Sequence, residues 1–439
     1  MSRRRVVGVA ALACVAGYVY VYASGRAGAP IRSDAFSYYV YLPAWTLYHD
    51  PTLEAVAADC CGGAFPTWTA IVRWPSTGRW VDAHPIGEAI LIAPFFAAAH
   101  ALTRWSNLSP DGFNLYYQHG AGLAGLSYVL VGLWFLHRLL SRHFSEGVTA
   151  ATLATLLFGT SLLHYATYDS AWSHAFSFAL CAALLERLDA HDAMVHQTGI
   201  VIGLIVGLIA LVRHTNVIIP ICFFAAMAAR EFGTARWPTT RQLILTSAIV
   251  AAIVFTPQLW VYYRATGHWL ISAYGELGFN FRSPHVADVL VGTQKGLFFW
   301  APVLLLGVAG LAVVPPALRW WRAPALAVLA VDTYLIASWW DWQFGGSYGH
   351  RGFVDVYPIF AVGLASLFAR VFGYPERRDA DTEMERSPGR LRPLRVLLCV
   401  SCIFLCALSV FQMLQYWHGV LPISDTTWAQ YRAAFLKVW

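Results

Sequence analysis

Charge is what this sequence has least of. Asp, Glu, Lys and Arg together make up 12% of its 439 residues, about half the share of an ordinary soluble domain. Lysine is nearly missing: of 30 basic residues only Lys295 and Lys437 are not arginine. That shortage excludes a disordered chain, which stays unfolded by being charged and poorly hydrophobic. It also excludes an ordinary cytosolic enzyme. The eight cysteines make neither a disulfide scaffold nor a zinc site. Most of them (Cys14, Cys181, Cys222, Cys399, Cys402 and Cys406) fall inside apolar runs, and none has ligand spacing. Cys60-Cys61 is a vicinal pair in a polar loop; adjacent cysteines rarely reach good disulfide geometry, so separate thiols are expected there. No fixed-period repeat is present and the two halves do not mirror each other. The matched broken helices that mark many transporters are missing with it.

Hydrophobic residues instead account for 58% of the chain, and the mean hydropathy is +0.53. No water-soluble fold of this size has enough interior for that much apolar surface; a bilayer does. Long apolar runs recur from end to end. The expected architecture is therefore all-α, a single polytopic transmembrane bundle over 1–439 with about 11–13 spans. The net charge of +6 and pI of 8.9 reflect arginine in cytoplasmic loops, and no nucleic-acid partner is read from them.

Arg3-Arg4-Arg5 precede the first run, 6–24, which is read as an uncleaved first span with its N-terminus inside. Residues 25–85 form a long outer first loop, whose aromatic stretch 35–48 is expected to lie along the membrane surface. Further spans are expected at roughly 86–103, 117–137, 148–167, 172–188, 199–212, 217–229, 243–263, 296–316, 323–339, 353–370 and 396–416. Arg138 with Arg142, Arg230 with Arg236 and Arg241, Arg319 with Arg322, and a cytoplasmic charged loop 371–395 fall at every second boundary, as the positive-inside rule requires. Segments 168–173, 264–294, 340–352 and the short tail 417–439 then lie outside. The run 86–103 breaks this alternation, and is either re-entrant or misread through Arg104.

The outside segments are unexpectedly basic. Arg264, His268, Arg282, His285, Lys295, His350 and Arg351 all fall there. Basic groups on that face point to an anionic ligand, most simply a phosphate at the membrane surface. The plainer alternative is solvated loop charge or headgroup anchoring. Lys295 stands out because Gly296 starts a span directly after it. The run Trp339-Trp340-Asp341-Trp342-Gln343-Phe344-Gly345-Gly346-Ser347-Tyr348-Gly349-His350-Arg351 offers bare backbone, a bidentate guanidinium and aromatic faces for a sugar ring or isoprenoid chain. Its alternative is a structural turn with interfacial Trp anchors.

Acids fall on the same face. Asp34 follows the first span and leads into Tyr38 and Tyr39. Asp82, His84 and Glu88 surround Pro85 at the start of the second apolar run, where they could shape a pocket, ligate a metal or cap a helix. Asp169 with Ser173 and His174 marks another outer corner, and Arg213-His214-Thr215-Asn216 interrupts an apolar hairpin at the same depth. Asp332 is mid-span, where an acid is costly and functional unless paired.

The pattern resembles the GT-C superfamily of integral-membrane glycosyltransferases, in the branch of protein mannosyltransferases and the lipid A aminoarabinose transferase. The resemblance rests on Asp34 in its aromatic stretch (Tyr38, Tyr39, Tyr41, Leu42, Pro43), on a long outer loop ending in His84-Pro85-Ile86-Gly87, and on Gly-Gly-Ser-Tyr-Gly-His-Arg late in the chain. It implies a sugar donor on polyprenyl phosphate and inverting transfer to a hydroxyl on the non-cytoplasmic face, with Asp34 as catalytic base. Many relatives carry a second acid beside that one. In that family the acid acts as base or holds a metal, which makes a divalent metal ion a candidate cofactor, but Ser33 and Ala35 flank Asp34 here, and this departure counts against a metal requirement.

The expected enzyme is thus a polyprenyl-phosphate-sugar-dependent glycosyltransferase in a bacterial inner membrane, acting on a lipid, glycan or protein acceptor. Lys295, Arg351 and Arg282 are expected on the donor phosphate. Tyr38, Tyr39, His84, Glu88, Asp169, His174 and Arg213 are expected to line the pocket. The rivals are a transporter or flippase for an amphipathic lipid or organic anion, and a non-catalytic assembly subunit.

Overall fold

The computed structural model describes residues 3–190, 195–272, 277–372 and 392–438. Most of the expected cytoplasmic loop 371–395 lies outside the described residues. Within them the regular structure is helical apart from one antiparallel hairpin, Ile71–Arg73 with Trp80–Asp82, and an isolated antiparallel bridge between Phe279 and Trp339.

Five helices are long and apolar enough to cross a membrane: Arg5–Ala23, Leu115–His143, Trp237–Thr266, Arg351–Phe372 and Arg392–Trp417. A sixth arises if Val303–Leu311 and Pro316–Ser338, bent by 103° at their junction, count as one. These have the composition and length of membrane-crossing helices, fewer than the hydropathy pattern predicts. Part of the shortfall has a local cause. The expected span 148–167 is broken into Glu146–Phe158 and Leu162–Thr167, and 296–316 into Leu297–Trp300 and Val303–Leu311. Pro302 opens the latter, and Pro315 precedes the next helical turn; a proline is well tolerated at a helix start and disfavoured in its middle. The run that breaks the alternation of sides forms the helix Gly87–Trp105, packed on Leu115–His143.

The outermost helices carry apolar side chains on their open faces. Leu245, Ile249 and Ile253 are exposed on one, and Val396, Leu397, Val400, Ile403 and Phe404 on another. Apolar surface on that scale needs an apolar solvent or a partner. The inner helices meet through glycine. A Cβ on Gly310 would sit 1.8 Å from the carbonyl oxygen of Gly363. Val303–Leu311 therefore lies backbone against backbone on Tyr357–Phe372, which fixes the helix that follows Arg351.

The first loop departs from expectation. The stretch 35–48 does not lie flat on a surface: it forms two short helices, Asp34–Tyr39 and Tyr41–Thr46, whose residues from Ala35 to Ala44 are all buried. The Tyr39 hydroxyl donates to the Gly112 carbonyl (2.6 Å), Phe36 stacks on Phe113, and Ser37 Oγ accepts from the Ala70 amide (3.1 Å). Cys60 and Cys61, expected as separate thiols, are joined by a disulfide at the end of the helix Glu54–Cys61. Beyond the last long helix the tail 417–439 folds back: Gln415 Nε2 donates to the carbonyls of Ala434 (2.6 Å) and Lys437 (2.8 Å).

Candidate active site

Asp34 is the first residue of its short helix, and Ser33 before it has φ +50° and ψ −131° with no capping bond. That conformation suits glycine. A serine held there costs about 1–3 kcal/mol and persists only where surrounding contacts impose it. Arg351 opens the 3-10 turn Arg351–Val356 ahead of Tyr357–Phe372. The Gly-rich loop before it turns through Gly345 and Gly349, both at positive φ.

The two meet. Arg351 Nη2 lies 2.9 Å from Asp34 Oδ2; the arginine side chain is 8% exposed and the aspartate 29%. The guanidinium also sits over the Trp172 ring, 4.5 Å from its centroid. Its other nitrogens, Nε and Nη1, are buried with no hydrogen-bond partner. Burial pushes the Asp34 carboxyl toward a higher pKa, but the charge of Arg351, with His84, His174 and Arg213, outweighs this and holds it below the usual carboxylate value. Asp34 is therefore ionised at neutral pH.

The second cluster of acids stands beside it. Asp82 Oδ1 accepts from the His84 amide (2.8 Å), and the Tyr38 ring packs edge-on to the His84 imidazole at 4.3 Å. Burial pushes Asp82 up to about 6; its bonds to His84 oppose this and the Asp34 charge adds to it. Glu88 is fully buried, and neither carboxyl oxygen has a hydrogen-bond partner.

A third cluster lies deeper. Asp355 accepts from Asn216 Nδ2 (2.8 Å) and pairs with Arg213 Nε (3.0 Å) and His174 Nδ1 (3.1 Å). Asp332, on the helix Arg322–Ser338, is buried with Oδ2 unpartnered. A fourth joins Asp169 to Arg32 (2.7 Å) and to His164 Nε2 (2.8 Å), while Trp417 Nε1 donates to His164 Nδ1 (2.9 Å).

The structure thus brings Asp34, Arg351, His84, Glu88, Tyr38, His174 and Arg213 to one end of the bundle, with Asp169 close enough to feel the Arg351 charge. Tyr39 is taken up by its bond to Gly112. Of the expected phosphate ligands, Arg282 stands apart, and Lys295 is near enough to feel the Arg351 charge but is bonded to backbone. Arg282 is exposed in the loop before the helix Val286–Val291. Lys295 is buried, and its Nζ donates to the carbonyls of Ser347 and Ile423 (3.1 Å), pinning the tail to the Gly-rich loop. Burial first and the Arg351 charge second lower its pKa to about 7. Asp355, Arg32 and His164 were not anticipated. Asp355 carries a usable signal, an acid close to the start of an apolar run; Arg32, two residues ahead of Asp34, carries none.

Among the described residues no group of three or more His, Cys, Asp or Glu side chains is arranged to hold a metal ion. Asp34 is paired with Arg351 and Asp82 Oδ1 with the His84 amide, while Asp82 Oδ2 and both Glu88 oxygens have no hydrogen-bond partner. No protein-family model matches the chain, and no curated protein matches it.

Proposed function

We propose that this chain is a polytopic membrane protein and an inverting glycosyltransferase of the GT-C type. It moves a sugar from a polyprenyl-phosphate donor to the hydroxyl of a lipid, glycan or protein acceptor on the non-cytoplasmic face of a bacterial inner membrane. The apolar outward faces of the long helices support the membrane reading. The observation that carries the enzymatic reading is the pairing of an ionised, partly open Asp34 with an Arg351 that keeps two buried donors unsatisfied.

In this reading Asp34 takes the proton of the acceptor hydroxyl as its oxygen bonds to the anomeric carbon. The bond from that carbon to the phosphate oxygen breaks, and polyprenyl phosphate leaves with the electron pair. It leaves as an anion, so no proton need be delivered to it. Arg351 stabilises the charge growing on the phosphate, through donors already oriented by Trp172. The test is incubation of the purified protein with radiolabelled polyprenyl-phosphate sugars and an acceptor extract. Label moving into acceptor in wild type and not in Asp34→Asn supports the reading; no transfer from any donor removes it.

Asp332 favours a second reading, a transporter for an amphipathic anion, because a buried carboxyl in an apolar helix suits a translocation path. Movement of labelled lipid across proteoliposomes without group transfer, lost in Asp332→Asn, would select it.

A further inference from the structure

Arg351 cannot hold Asp34 as observed and present the same Nη2 to a phosphate. One of its ends is committed to the carboxylate, while Nε and Nη1 are buried and unmatched. A buried donor left without a partner is costly, and a phosphate that binds the guanidinium bidentately must take Nη2 together with Nε or Nη1, so it needs the nitrogen that Asp34 holds. Asp34 in turn is a poor base while paired, since a carboxylate that is already neutralised has less affinity for a proton. We infer that the donor phosphate displaces Asp34 from Arg351, so that binding of the donor itself releases the catalytic base. This rests on the reading of the site as one for a phosphate-linked donor.

The surroundings permit the exchange. Arg351 is restrained by the Trp172 and Phe344 rings, 4.5 and 5.7 Å from its guanidinium carbon. It therefore stays where it is. Asp34 is the more open partner, at the end of a six-residue helix behind the strained Ser33. The freed carboxylate would still feel His84, His174 and Arg213, whose charges already reach it. Asp82 and Glu88 face it from the other side, and the Asp34 charge reaches both. No proton moves in the exchange: one anion takes the place of another beside the guanidinium. Addition is then ordered, donor before acceptor, and an acceptor arriving first meets a masked base.

The test titrates geranyl phosphate into the detergent-solubilised full chain by calorimetry. If Asp34 competes for Arg351, Asp34→Asn binds the probe about ten- to a hundredfold more tightly than wild type, the range set by one charged hydrogen bond. Asp34→Glu, which keeps the competing charge, stays near wild type, and Arg351→Gln loses binding. Equal or weaker binding by Asp34→Asn, with Arg351→Gln still deficient, overturns the exchange and leaves the anion site standing. Unchanged binding by Arg351→Gln, or no binding by wild type and variants alike, removes the anion site and the exchange together. If Asp34→Asn does not fold, infrared difference spectra of wild type decide. A carboxylate stretch that shifts on saturation with geranyl phosphate supports the exchange, and saturation with no carboxylate band moving overturns it.

Discussion

Arg351 Nη2 and Asp34 Oδ2 stand 2.9 Å apart, joining the acid of the first loop to the guanidinium of the last Gly-rich loop. Neither segment has any other reason in its local sequence to meet the other. Their pairing gathers the charged residues of the chain's two ends onto one end of the bundle, and the expected behaviour of variants follows from it.

Asp34→Asn preserves shape and removes the proton acceptor. Transfer should fall by roughly two to four orders of magnitude, the usual range for a lost general base. Initial rates with a labelled donor measure this, and turnover close to wild type would take Asp34 out of the mechanism.

Ser33→Gly should stabilise the protein, by about 1–2 kcal/mol, because glycine adopts φ +50° without the serine Cβ penalty. Thermal unfolding in detergent reads the gain. If the strain also aims Asp34, the same variant turns over more slowly while melting higher. An unchanged melting temperature would mean that the turn relaxes without cost.

Lys295→Met tests the reassignment of that lysine. Its ammonium holds the carbonyls of Ser347 and Ile423, so the variant should lose about 1.5–3 kcal/mol of stability and expose the tail to proteolysis. Donor affinity should change little beside that of Arg351→Gln. A large, selective loss of donor binding in a tail that resists protease would return Lys295 to the phosphate.

Asp355→Ala leaves Arg213 and His174 without their shared carboxylate. Removing one partner of a buried charge group costs about 3–5 kcal/mol, so expression and melting temperature should both collapse. Asp355→Asn should retain more stability, since it still offers an oxygen to Asn216.

The pH dependence of stability follows from Asp82. Its folded-state pKa is raised from 3.8 to about 6, so between those values the folded protein binds the proton that the unfolded chain has lost. Stability therefore declines as pH rises through that window and levels off above it. Asp82→Asn removes the titration. Its melting-temperature advantage over wild type should grow from pH 4 to pH 6 and stay constant beyond. A constant difference across the window would place the titration on another group.

Hydropathy by itself determined that the chain is helical and where helices would form, because burying apolar residues is a property each run carries within itself. The helices at 6–24, 117–137, 243–263 and 396–416 are legible in this way. Asp34, Arg351, His84, Glu88, Asp169, His174 and Arg213 were legible as candidates for the same reason: a charge beside an apolar run has to be satisfied by something. What satisfies it is not written locally. Tertiary packing decided that Arg351 reaches Asp34, that Lys295 turns to two carbonyls, and that Asp355 holds Arg213. It also decided that Cys60 and Cys61 bond, and that the stretch 35–44 is buried. Each is a choice of partner across long stretches of chain, set by which backbones can approach, as Gly310 and Gly363 do. A single sequence states the need for a partner at each position, and only the packed helices state which partner is within reach.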